Sequence, residues 1–223
     1  MYSFVVIRLL VATTNANKVR EIRQLLDTGA IDLVTLADWP NVPAPEETGR
    51  TFEENARAKA RYYAAATGEL TVAEDSGLEI DALGGAPGVE SARYGGVETP
   101  YEEKFALIYS ALRHNGCVDS TARFVCALAL ASGQCGADLS DARRILFETR
   151  ASVEGRIAAA PRGRGGFGYD PIFFYPPYGC TLAEATPDQK AAVSHRGQAF
   201  RTLRRFLEVS ASEQPASHAR DVR

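Results

Sequence analysis

Apolar positions along the chain follow two periods, a near-continuous or alternating one typical of strands and a three-to-four-residue one typical of helices. From Val5 to Ala12 the chain is apolar apart from Arg8, which predicts a strand covered on both faces. Asn17 to Leu26 then sets Val19, Ile22, Leu25 and Leu26 at helical spacing, giving strand, polar loop and helix in succession. Ile31 to Leu36 predicts a second strand, and Trp39, Pro40, Pro43 and Pro45 interrupt regular structure after it. Thr51-Phe52-Glu53-Glu54 has the capping-box pattern and opens an alanine-rich helix that Gly68 closes. Thr71 to Ala73 predicts a short strand ended by Glu74 and Asp75, with Gly77 permitting a tight turn.

Further along, Thr99-Pro100-Tyr101-Glu102 combines a capping threonine, a proline at the first helical position and a glutamate three residues after the cap. This predicts a helix to about Asn115, stopped by Gly116. Arg123 to Ala131 and Ile145 to Ile157 predict two long strands joined by an exposed hairpin loop, Ser132 to Arg144, to which no chemistry is assigned. A third capping box, Thr186-Pro187-Asp188-Gln189, precedes a helix from His195 to Val209 with Phe200, Leu203, Phe206 and Leu207 on one face. Ser210 to Arg223 reads as a frayed tail. Strands and helices mix without repeat or linker, so the architecture is α/β or α+β, with one domain over residues 1–211 and a tail over 212–223.

Composition narrows the function. With 223 residues and 45% hydrophobic content, the chain can bury one large core or two packed lobes. A net charge of −3 offers no footprint for a polyanion, so nucleic acid is not the expected partner. The apolar N-terminal run is far shorter than the roughly 20 residues a membrane span requires, so no membrane association is expected either. Cys117, Cys126, Cys135 and Cys180 are widely spaced with no C-x-x-C pair, which fits a reducing cytoplasm better than a zinc knuckle or disulfide scaffold.

Five segments carry candidate chemistry. Gly163-Arg164-Gly165-Gly166-Phe167-Gly168-Tyr169-Asp170-Pro171 reads as a binding loop whose glycines permit close backbone approach, where Phe167 or Tyr169 could stack on a flat base and Asp170 could accept hydrogen bonds. Thr13-Thr14-Asn15-Ala16-Asn17-Lys18 lies between a strand and a helix N-terminus, a place that suits an anion. Glu46 and Glu47 precede a helix whose Asn55 and Lys59 share one face. Glu74-Asp75-Ser76 places two acids where Mg²⁺, a hard ion taking one or two carboxylates, could bind. Lys190, Ser194, His195 and Arg196 could together donate to a carbonyl or phosphate oxygen. Each segment alone also fits an ordinary loop, cap or solvated helix face.

Taken in order, these segments resemble the inosine/xanthosine triphosphate pyrophosphatase family, over residues 9 to about 207. The matching stretches are TTNANK at Thr13 to Lys18, EETGRTFEENARAKA at Glu46 to Ala60, AEDSGLEIDALGGAPGVESARYGG at Ala73 to Gly96, GGFGYDPIF at Gly165 to Phe173, and KAAVSHRGQAF at Lys190 to Phe200. The resemblance implies an α/β fold with a long mixed β-sheet flanked by helices, two lobes with the active cleft between them, and a homodimer. It further implies Mg²⁺-dependent hydrolysis of ITP, dITP or XTP to the monophosphate and pyrophosphate. In that reading Asp75 is general base and metal contact, Glu47 the second metal carboxylate, and Lys59 and Glu47 belong with Asp75 to the catalytic group. Lys18 and Lys59, aided by Thr13 and Asn15, neutralise the polyphosphate, and Thr14, Asn55 and Ser76 also bind substrate. Phe167 stacks on the purine beside Gly168 and Tyr169, and Asp170, Lys190, His195 and Arg196 read its edge. Glu74 stands where the family usually has a second aspartate, and the loop at Ser132 to Arg144 is long for it. A pyrophosphatase of the related Maf type, which acts on pyrimidine or modified nucleotides, and a nucleotide sensor without turnover are the alternatives. SHRGQAF argues against the first, and Asp75, Glu47, Lys18 and Lys59 together argue against the second.

Overall fold

The computed structural model describes residues 6–117, 119–133 and 144–213. Strands β1 (Ile7–Val11) and β2 (Ile31–Thr35) run parallel, joined by helix α1 (Ala16–Leu26), since a parallel pair needs a crossover. β1 is also parallel to β3 (Thr71–Ile80). From there the sheet turns antiparallel, through β4 (Thr121–Ala131), β5 (Ile145–Ile157), β6 (Phe173–Tyr175) and β7 (Cys180–Thr181). The resulting seven-stranded mixed sheet has the order β2-β1-β3-β4-β5-β6-β7. Helices α2 (Phe52–Thr67), α3 (Tyr101–His114), α4 (Pro187–Val193) and α5 (His195–Glu213) flank it, as the expected α/β class requires.

Side-chain alternation decides which helix each strand residue meets. On β3, Val72 joins Cys126, Leu128 and Leu130 of β4 against Phe200 and Leu203 of α5. The neighbour Ala73 faces the other way, with Val125, Ala127 and Ala129 against the alanines Ala56, Ala60 and Ala64 of α2. Small residues on both surfaces let that helix approach the sheet closely. Beyond them, Leu78 and Ile80 continue β3 into a third apolar cluster with Phe105, Ile108 and Leu112 of α3. β3 therefore crosses from one core region to another, and its middle lies where they meet.

That crossing corrects one expectation. No turn follows the two acids: β3 runs straight through Glu74, Asp75 and Gly77 to Ile80, paired residue by residue with β4. Gly77 is needed for space, since a Cβ there would sit 2.5 Å from the Gly88 carbonyl oxygen and 2.9 Å from Ser91 Cβ. The Ser91 hydroxyl accepts a hydrogen bond from Leu78 N at 2.9 Å, so this loop is strapped to the strand.

The other signals fared variously. Thr51 caps α2 by accepting from Glu54 N, but the Glu54 carboxylate reaches back to Arg50 N instead of the cap residue, so only half of the box forms. Gly68 ends α2 with a left-handed φ of 74°. At α3 the cap position falls on Pro100, and the Thr99 hydroxyl turns away to donate to the Gly95 carbonyl. The box at Thr186 and Gln189 is complete. α5 continues to Glu213, so the tail expected from Ser210 is helical at its start. Most of the hairpin loop, with Cys135, and the rest of the tail lie outside the described residues. Cys117, Cys126 and Cys180 are free thiols, and no helix among the described residues is long and apolar enough to cross a membrane.

Replacing Gly77 with alanine should cost about 1–3 kcal/mol, the usual penalty of overpacking a site walled by backbone, read as a lowered midpoint in urea unfolding with unchanged slope.

Candidate active site

A cleft of about 290 Å³ opens beside the middle of β3. Thr13, Thr14, Asn15, Lys18, Glu47, Lys59, Asp75 and Ser76 line one end, and Phe167, Gly168, Tyr169, Asp170, Lys190, His195 and Arg196 the other. Of the residues expected to touch substrate, only Asn55 is outside the lining. It is buried behind Asp75, donating from Nδ2 to Asp75 Oδ2 at 2.9 Å while its own Oδ1 accepts from Gly49 N at 2.8 Å. Asn55 thus positions a carboxylate instead of binding a ligand.

Alternation along β3 sends the adjacent acids to opposite sides. Asp75 faces α2, where the Lys59 ammonium lies 3.6 Å from its Oδ1 and 2.8 Å from Glu47 Oε1. Burial pushes the Asp75 carboxyl up from its ordinary value, outweighing Lys59 and the Asn55 hydrogen bond. Burial would also raise Glu47, but the Lys59 ammonium holds it below the usual carboxylate range. For Lys59, burial opposes the charge and the surrounding Asp75, Glu47 and Glu74 more than restore it. Glu47 faces the cleft, whereas Glu46 is exposed and does not line it. Among the described residues no cluster of three or more His, Cys, Asp or Glu forms. Two carboxylates alone could hold Mg²⁺, which commonly keeps water or phosphate oxygens in its remaining positions.

Glu74 faces the opposite side and meets cations. Arg196 donates to its Oε1 from Nε and Nη2, both at 3.1 Å, and Lys18 Nζ lies 3.0 Å from the same oxygen. Burial alone would keep Glu74 protonated, yet Arg196 and Lys18 hold its carboxyl well below the ordinary value. Glu21 on α1 completes the cluster, 2.8 Å from both Arg196 Nη1 and Lys190 Nζ. Arg196 also donates to the Ser76 hydroxyl at 3.0 Å. It is therefore a fixed, fully buried cation with three protein partners.

At the far end, Asp170 Oδ2 accepts from Phe167 N at 2.7 Å and is paired with Lys190, which pins the glycine loop. A Cβ on Gly166, whose φ is +67°, would collide with this carboxylate. Lys190 Nζ and the Arg196 guanidinium lie 4.7 and 5.5 Å from the centre of the Phe167 ring. Tyr169 is buried, its hydroxyl donating to the Ser91 carbonyl at 2.9 Å, so of the two aromatics Phe167 is the one left for a flat ligand. His195 stacks on Phe124 at 4.9 Å, and its Nδ1 has no hydrogen-bond partner among the described residues. Burial, reinforced by Arg196, pushes its imidazole well below the ordinary value, so the ring is neutral.

One expectation at the Lys18 end changes. The Asn15 side chain already accepts from Asn17 N and Lys18 N, at 3.0 and 3.2 Å, so two of the N–H groups at the start of α1 are capped. Side chains, above all Lys18 and Lys59, are left as the main cations for an anion there.

The sequence model of the Ham1 family matches residues 9–206. This chain belongs to the Ham1 family. A dITP/XTP pyrophosphatase of Exiguobacterium sp. strain AT1b is 47% identical over 198 residues, covering 88% of this chain and 94% of that protein. One of the same description from Thermus thermophilus is 47% identical over 196 residues, covering 88% of this chain and 89% of that protein. The structure of a HAM1 protein from Coxiella burnetii superposes with a TM-score of 0.81 at 39% identity, covering 91% of this chain and 99% of that one.

Within this Ham1 fold, Glu21 and the role of Asn55 went unread in the sequence. The signals were present: Glu21 is three residues after Lys18, on one helix face, and Glu74 and Asp75 are adjacent strand residues that must diverge. Neutralising the buried acid by Glu74→Gln should leave Arg196 with Glu21 as its one remaining carboxylate partner and Lys18 with none in the cluster, and lower stability by about 3–5 kcal/mol, measured by denaturant unfolding.

Proposed function

We propose that this chain hydrolyses non-standard purine nucleoside triphosphates, ITP, dITP and XTP, to the nucleoside monophosphate and pyrophosphate. The observation that carries the reading is the Asp75 carboxylate, raised in pKa, aimed by Asn55, and set beside Glu47 and Lys59 at one end of a cleft whose other end is built for a flat ring. The dITP/XTP pyrophosphatases of Exiguobacterium and Thermus, near half identical over most of their length, support the substrate class.

Glu47 and Asp75 would hold Mg²⁺, which supplies neutralisation and polarisation of the phosphoryl oxygens when bound. A water at Asp75 gives its proton to the carboxylate as its oxygen bonds to the α-phosphorus. The α–β bridging bond breaks and pyrophosphate leaves. Lys18 and Lys59 offset the charge gathering on the phosphates. At the other end the purine lies against Phe167, its 6-keto oxygen within the field of Lys190, His195 and Arg196. Adenine would turn an amino group toward donors, and each unpaired buried contact costs about 1–3 kcal/mol, roughly tenfold to hundredfold in selection. The working protein is a homodimer in this reading, on the resemblance alone.

Pyrophosphate release assayed with ITP, XTP, ATP and GTP should require Mg²⁺ and occur with the first two. Asp75→Asn should lower turnover of ITP at least about 100-fold while nucleotide binding stays detectable by calorimetry. An active Asp75→Asn enzyme would remove the mechanism, and a folded wild-type protein inert toward all four would remove the function.

A further inference from the structure

Tyr101, the first residue of α3, lines the cleft beside Ser91, Gly168 and Tyr169, although it belongs to none of the five segments that carry the chemistry. Its ring is held on several sides. It meets Tyr169 edge-on, with centroids 5.2 Å apart and an interplanar angle of 84°. Phe105 is tilted against it at 6.2 Å, and Lys104 Nζ lies 5.3 Å from its centre. Lys104 is itself buried and donates to the Ala92 carbonyl, so the base of the ring is anchored to the loop that walls the cleft.

The hydroxyl, by contrast, is free. It makes no hydrogen bond among the described residues, and a Cβ built on Gly168 would lie 3.6 Å from it, which places it over the glycine loop. The residue remains 37% exposed, at the rim and not in the floor of the cleft. Burial and the nearby Asp170 carboxylate keep the phenol protonated, so it can donate. An ordered ring with an unspent donor, over Gly168 and apart from the buried Lys190, His195 and Arg196, stands where a nucleotide bound as proposed above would run from base to phosphates.

We propose that Tyr101 is a binding residue for the sugar, donating its phenolic hydrogen to a ribose hydroxyl. The inference rests on the nucleotide reading above. α3 thereby contributes directly to substrate selection, and the strapping of its first turn to the cleft loop through Lys104 and Tyr169 sets where that donor stands.

The test compares wild type and Tyr101→Phe, which keeps the ring and its packing, on ITP, dITP and the 2′,3′-dideoxy analogue. The wild-type enzyme must first turn over ITP; if it does not, the nucleotide reading has failed and not this one. The expected result is a KM for ITP raised about two- to tenfold, the worth of one neutral hydrogen bond, with kcat unchanged and no change for the dideoxy substrate. A rise shared by dITP assigns the contact to the 3′-hydroxyl, and a rise confined to ITP assigns it to the 2′-hydroxyl. An unchanged KM for both, or an equal rise for the dideoxy substrate, overturns the proposal.

Discussion

A carboxylate buried in the centre of a β-sheet is the constraint on which the rest of this structure depends. Glu74 sits in the middle of β3 with almost no exposure, and an isolated charge there would be driven to its neutral form. It remains ionised because Arg196 of α5 and Lys18 of α1 converge on one of its oxygens. The carboxylate therefore fixes where two helices may lie relative to the sheet. Glu21 extends the constraint by holding Arg196 and Lys190 together, and Lys190 in turn grips Asp170 and the glycine loop. A chain of ion pairs thus runs from the Lys18 end of the cleft to the Phe167 end.

The pleat of the strand turns this into a division of labour. One residue on, Asp75 points to the opposite face, where its partners are an amide and a shared ammonium in place of a guanidinium. Burial raises the pKa of Asp75, whereas paired cations depress that of Glu74. Two neighbouring acids end in different electrostatic states because they face different helices. A carboxyl held low serves as an anchor; one pushed up and oriented is suited to take a proton.

Much of the architecture was legible in the chain. Long apolar runs and capping residues located β1, β2, β4, β5, α1, α2 and α3 to within a residue or two, because those signals are local, whereas the break at Ser194 that separates α4 from α5 carries no such signal. β3 was read too short. Polar residues in its middle look like a strand end until it is known that helices on both faces supply their partners. The aromatic and basic residues of the glycine loop and the SHR segment were legible as a group only because they recur in a known order. Their pairings were not, since Glu21 with Arg196 and Asn55 with Asp75 are contacts across the fold. Asn55 was read as a ligand contact because sequence shows which helix face it shares with Lys59, but not that Asp75 stands between it and the cleft.

The central claim is that Asp75 meets the metal and Glu74 does not. Calorimetric titration of Mg²⁺ into protein saturated with a non-hydrolysable ITP analogue tests it directly. It should be done in the cold, where both variants give the wild-type circular dichroism spectrum. Removing a ligating carboxylate by Asp75→Asn should weaken Mg²⁺ binding at least about tenfold, and Glu74→Gln should leave it within about twofold of wild type. Equal or greater weakening in Glu74→Gln would contradict the account and make Glu74 a metal ligand.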